Sequence, residues 1–193
     1  MQLKPYTVLA AVLLACCFCP VSGAQDAGLF NSPKGLGACL YLPEKDGIFH
    51  TVTAYVDLYG IPSSRCLYPG FKANVSRQYS LKSWAKDGYS ISMYAGPGVS
   101  AGYVRDHDKG RGIDLSTLIS DNPGVAFAAS GDIGWRFDFG GFVALDLSFT
   151  AEAGVHVRRN EKEKGYAATS LSIYNNGLMQ ALYPQLIILF KFR

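Results

Sequence analysis

From Val143 to Val157 the chain alternates without a break over fifteen residues. Val143, Leu145, Leu147, Phe149, Ala151, Ala153, Val155 and Val157 form one set, and Ala144, Asp146, Ser148, Thr150, Glu152, Gly154 and His156 form the other. A period of two puts the sets on opposite faces of one extended strand. Strands of soluble domains usually stop after about five or six residues. A tilted strand that crosses a bilayer needs ~9–11, and more where it projects beyond the lipid. It also needs an apolar face for lipid and a polar face for a lumen, which this stretch supplies.

The same rhythm runs through much of the chain. From Tyr89 to Val104, Tyr89, Ile91, Met93, Ala95, Pro97, Val99, Ala101 and Tyr103 alternate with Ser90, Ser92, Tyr94, Gly96, Gly98, Ser100 and Gly102. From Val125 to Phe139 one face carries Val125, Phe127, Ala129, Ile133, Trp135, Phe137 and Phe139, and the other Ser130, Asp132, Arg136 and Asp138. Residues 48–60 set Val52, Ala54, Val56 and Leu58 against Thr51, Thr53, Tyr55, Asp57 and Tyr59. In 71–84, Phe71, Val75, Tyr79 and Leu81 oppose Lys72, Asn74, Ser76, Gln78 and Lys82. Arg77 falls on that apolar face, where a nearby bulge or a position at the membrane surface would accommodate it. Shorter runs at Leu36–Leu42 and Leu186–Phe192 bring the count to seven.

Single-chain bacterial barrels have an even strand number. The expected fold is therefore all-β, an antiparallel transmembrane up-and-down barrel of eight strands over 35–193. The eighth strand lies either in 25–34, which is treated as a short lead because it looks too short, or at Tyr166–Tyr174. The second choice upsets the side on which the C-terminus emerges. Pro43–Gly47, Lys86–Gly88 and Gly140–Gly141 read as tight turns, whereas 61–70, 105–122 and 158–182 are long. A short helical piece within Ser172–Leu182 is expected in the last outer loop. Short and long connections alternate, as in barrels with short periplasmic turns and longer outer loops.

Lys4, the apolar run Tyr6–Phe18 and the small residues Val21-Ser22-Gly23-Ala24 have the order of a secretory signal peptide over 1–24. Pro20 and Gly23 cut the run short of the ~20 residues a helical span requires. Leu13-Leu14-Ala15-Cys16 offers a second exit, lipoprotein processing at Cys16. Cleavage after Ala24 would leave Cys39 and Cys66, which either bridge in an oxidising envelope or stay unpaired. A net charge of +3, scattered along the chain, points away from nucleic acid as a partner.

The stretch Tyr94-Ala95-Gly96-Pro97-Gly98-Val99-Ser100-Ala101-Gly102-Tyr103-Val104 resembles the glycine-rich strand of small outer-membrane β-barrel proteins of Bacteroidota type, of the OmpX or OmpA barrel kind. The ending Tyr183-Pro184-Gln185-Leu186-Ile187-Ile188-Leu189-Phe190-Lys191-Phe192-Arg193 is similar to their final strand. The resemblance implies a Gram-negative outer membrane and a C-terminal signal for the barrel-assembly machinery, carried here by Phe190 and Phe192. Arg193 departs from that pattern by following the last aromatic. The resemblance lends no catalytic residue.

The polar faces hold Asp57, Lys72, Lys82, Asp132, Arg136, Asp138, Asp146, Glu152, His156 and Lys191. An eight-stranded barrel is just wide enough for side chains to fill it, so these groups are expected to pair as an internal structural network. The leading functional expectation is a non-conducting monomer with a structural or surface-interaction role, in contact with outer-membrane lipid and lipopolysaccharide, and without a cofactor. The alternative is a lipid A or phospholipid-modifying enzyme with His156 as base. Glu152 lies ~13 Å from it along the strand, too far to orient the imidazole. Asp106-His107-Asp108 could bind a cation together with His156, although no ligand spacing is diagnostic. Arg158, Arg159, Lys162 and Lys164 could reach lipopolysaccharide phosphates, diluted by Glu161 and Glu163.

Overall fold

The computed structural model describes residues 26–58, 69–104, 124–162, 166–176 and 181–192, with 158–162, 166–170, 172 and 175 described through the backbone. The strands are β1 (Asp26–Ser32), β2 (Gly35–Tyr41), β3 (Ile48–Asp57), β4 (Gly70–Lys86), β5 (Tyr89–Val104), β6 (Gly124–Asp138), β7 (Val143–Lys162), β8 (Tyr166–Asn175) and β9 (Gln185–Lys191). Each strand from β1 to β7 pairs antiparallel with the next. β7 then pairs with β9 along its first part and with β8 along its last. β9 closes on β1, from Asp26↔Lys191 to Asn31↔Leu186. The result is a closed eight-stranded up-and-down barrel. Its eighth strand is interrupted, β8 and β9 lying end to end beside β7.

Both candidate locations for the missing strand are strands, and they serve different purposes. The segment treated as a lead contains β1, which is paired on both sides. Tyr166–Asn175 is the first half of the interrupted strand, so the C-terminus still emerges beside the N-terminal end of β1. The helical piece amounts to Ala181-Leu182 among the described residues, and it lies in the interruption rather than in a loop between neighbouring strands. Residues 1–25, and with them the expected signal peptide and Cys16, lie outside the described residues.

Turn chemistry fixes one end of the barrel. Between β2 and β3, Asp46 and Gly47 both take left-handed φ, 53° and 74°. Two consecutive positive φ values suit the right-handed twist of a tight hairpin, and Asp-Gly accepts them readily. Closure also demands a stagger. Following paired residues round the wall from Asp26 gives Tyr41, Thr51, Ser76, Gly98, Ser130 and Glu152. Glu152 lies beside Asn176, whereas Asp26 itself pairs with Lys191 at the far end of the eighth strand.

The faces follow the period. Leu29, Leu36, Val75, Val99, Phe127, Val155 and Ile173 point outward and are exposed. Phe190 and Phe192 share that outer face and pack on Phe142, with ring centroids 5.8 and 6.3 Å apart. β4 departs from the expected pattern. Its register with β5 slips between Ser80 and Lys82, and one extra residue reverses every later side chain. Lys82, expected in the lumen, is therefore exposed on the outer face opposite Met93. Arg77 precedes the slip and stays outward.

Candidate functional site

Among the described residues the lumen gathers ionisable groups of both signs, and the structure fills it in two layers. Toward the tight-turn end, Phe30, Cys39, Tyr41, Phe49, Tyr55, Tyr94, Ala144, Ile187 and Leu189 form a buried cluster. Phe49 meets Tyr94 edge to face at 5.2 Å and Tyr41 stacks on Phe49 at 5.7 Å. Asp146, fully buried, accepts a hydrogen bond of 2.7 Å from the Tyr94 hydroxyl. The Tyr94 ring lies over its cross-strand partner Gly134, where any Cβ would overlap the phenol. Asp132 accepts from Gln78 at 2.8 Å and from Thr150 at 2.7 Å.

Toward the loop end, Lys72 pairs with Glu152 and donates to the Tyr174 hydroxyl at 2.8 Å. Its ammonium also sits 4.8 Å from the Tyr174 ring centre. Tyr174 packs in turn on Val104, Ala126 and Ala128. Gly102 leaves room for the Lys72 stem, since a Cβ there would press on its Cγ. The inward glycines of β5 thus leave space to side chains of the paired strands, Lys72, Ser76 and Gln78 on β4 and Ser130 on β6.

Asn176 repairs the interrupted strand. Its side-chain amide donates to the Thr150 carbonyl at 2.6 Å and its oxygen accepts from the Glu152 amide at 3.0 Å. Those β7 groups face the gap between β8 and β9, so one carboxamide replaces the backbone that is missing there. At the tight-turn end Arg136 pairs with Asp26, and Lys191 with Asp138 at 2.6 Å.

Of the ten ionisable residues assigned to the lumen, Lys82 alone lies on the outer face. Asp57 is buried beside the loop end of β3, and His156 is buried with its ring 6.2 Å from that of Tyr174. Register sets Ser172 of β8 opposite His156, but the imidazole is 0% exposed and Glu152 is engaged by Lys72. Sequence reasoning missed Asp26, set aside with the lead, and Asn176 and Tyr174; it put Tyr94 and Gln78 on the polar faces but gave them no role. Asp106, His107, Asp108 and Cys66 lie outside the described residues, as do the side chains of Arg158, Arg159 and Lys162. Cys39 is a buried free thiol.

Between the layers the lumen keeps a cavity of about 30 Å³, bordered by Phe30, Thr51, Asn74, Gln78, Tyr94 and Gln185. That is the space of one or two waters. A larger hollow of about 540 Å³ lies against the outer wall, over Ala73, Val75, Val99, Ala101, Phe127 and Val155. No known protein family, no curated protein and no solved structure matches the chain.

Proposed function

We propose that the chain is a plugged, non-conducting β-barrel of a Gram-negative outer membrane, with a structural or surface-interaction role exercised at its loop end. The observation that carries this reading is the filled lumen: among the described residues a cavity of about 30 Å³ and the contacts Lys72–Glu152 and Tyr94–Asp146 leave little room for water, as expected of a narrow barrel. Exposed Leu29, Leu36, Val75, Val99, Phe127 and Val155 on the outer wall favour lipid over water around it. The likeness of 94–104 and 183–193 to Bacteroidota-type barrels supports the same location, with assembly read from Phe190 and Phe192. Burial of His156 argues against a lipid-modifying enzyme, because the imidazole is 0% exposed and packs beside Tyr174. Contacts with lipopolysaccharide belong to the loop end in this reading.

The test is fractionation with gel mobility before and after boiling, followed by planar-bilayer recording of the purified protein. A heat-dependent shift in the outer-membrane fraction with no porin-sized steps is expected. Recovery from the soluble periplasm, or steady large conductance from monomer, would overturn the proposal.

A further inference from the structure

Charge is sorted across the barrel wall. Among the described strand side chains, the carboxylates Asp26, Asp57, Asp132, Asp138, Asp146 and Glu152 all face the lumen. The basic side chains on the outer face among the described residues are His50, Arg77, Lys82 and Lys86, all on the neighbouring strands β3 and β4, and no carboxylate joins them there. His50 and Arg77 stand directly opposite each other. The Arg77 guanidinium lies over the Tyr79 ring, 5.4 Å from its centre, and the Lys82 ammonium lies over Trp84 at 4.9 Å. None of the ion pairs among the described residues involves them. Carboxylates on this side are confined to the turns, at Glu44, Asp46 and Asp87.

We propose that this basic and aromatic stripe, His50, Arg77, Tyr79, Lys82 and Trp84, binds the phosphate of anionic phospholipid headgroups in the leaflet at the tight-turn end. The proposal rests on the membrane reading given above. A cation on the lipid face costs ~2–4 kcal/mol at the bilayer midplane and almost nothing at the interface, so the stripe marks where the polar boundary meets β3 and β4. Beyond it toward the loop end the outer faces turn apolar, with Val52, Ala54 and Val56 on β3 and Phe71, Ala73 and Val75 on β4. A general girdle would encircle the barrel. This one stops at β5, where Met93 and Ala95 face outward opposite Lys82 and Tyr79. Cations held flat on aromatic faces keep donors free on their outer side, and phosphate accepts from guanidinium and ammonium in charge-assisted bonds.

The chain's two tryptophans report on the stripe itself and on the wall two strands beyond it. Trp84 belongs to the stripe, and Trp135 faces outward on β6 against Phe149, 6.3 Å away. Trp135→Phe and Trp84→Phe proteins are refolded into phosphatidylcholine vesicles doped with brominated phosphatidylglycerol or brominated phosphatidylcholine, and fluorescence quenching is titrated. Trp84 should report a preference for phosphatidylglycerol of at least about fivefold, the effect expected of one cation near a charged surface. Trp135, two strands from Lys82 along the row Lys82, Met93, Trp135, should show a clearly smaller preference, and Arg77→Gln with Lys82→Gln should abolish the Trp84 preference. Quenching of Trp135 by both lipids with no preference at Trp84 would overturn the headgroup site while leaving the membrane reading intact. Quenching of neither tryptophan would overturn both.

Discussion

Replacing Lys72 by methionine strands Glu152 inside the barrel. Both side chains are 3% exposed, so neither charge can be hydrated where it stands. Removing one partner of a buried ion pair costs about 3–5 kcal/mol because the survivor remains uncompensated, whereas replacing both with groups of similar volume is nearly neutral or stabilising. Lys72→Met and Glu152→Gln should therefore each cost about 3–5 kcal/mol, and the double variant much less than either. The surroundings also predict an order. With Glu152→Gln, Lys72 keeps its 2.8 Å bond to Tyr174 and its place over that ring. With Lys72→Met, the Glu152 carboxylate keeps only a 3.5 Å approach of the Tyr174 hydroxyl among these contacts. Lys72→Met is accordingly the costlier single change. Urea unfolding of the refolded barrel in vesicles, followed by tryptophan fluorescence with midpoint and slope both fitted, measures all three. Additive singles would show that the charges do not depend on each other, and a costlier Glu152→Gln would refute the assignment of Tyr174 as the partner that shelters Lys72.

Three further changes probe other parts of the fold. Val99→Arg places a cation on an outward position that is 65% exposed; it should lower stability by ~2–4 kcal/mol if Val99 lies near the bilayer midplane, and unchanged assembly in outer membranes would contradict a lipid-facing β5. Gly134→Ala must displace the Tyr94 ring and loosen its bond to Asp146; denaturant midpoints should fall, and Tyr94→Ala should relieve part of the loss in the double variant. Asn176→Ala removes both bridges to β7 and should cost about 1–3 kcal/mol for each buried backbone group left unpaired, with amide exchange at Glu152 accelerated well before global unfolding.

Most of the wall was legible because period two reports the faces of a strand without knowledge of its partners. The test fails where a face does not follow the polar and apolar code. β1, at seven residues, reads as too short, and its pattern does little to redeem it, since Phe30 on the buried side and Asn31 on the exposed side break an otherwise ordinary order. β9 is apolar on both sides through its middle because Ile187 and Leu189 join the aromatic cluster, and it was legible as a short apolar run rather than by alternation. Lys82 was lost for another reason. A bulge changes parity without changing composition, and nothing in the run from Tyr79 to Trp84 marks the residue at which the register slips.

The lumen partners were harder to read than the lumen faces, and tyrosine explains why. Lys72 and Glu152 are 80 residues apart, so their meeting depends on the stagger of a closed wall, which no local pattern encodes. Asp146 and Asp132 resist the pairing logic more deeply, since the donors shown for them here are Tyr94, Gln78 and Thr150 rather than cations. A tyrosine offers an apolar ring that fills a narrow barrel and a hydroxyl that can donate at its far end. Tyr41, Tyr55, Tyr94 and Tyr174 are all buried; period two puts Tyr55 and Tyr94 on the polar faces, yet a search for ionisable pairs passes over their hydroxyls. A plug built this way needs fewer cations than carboxylates, because ring volume and hydrogen-bond donation come from the same side chain, and a census of charges on the inner face therefore understates how completely the lumen is filled.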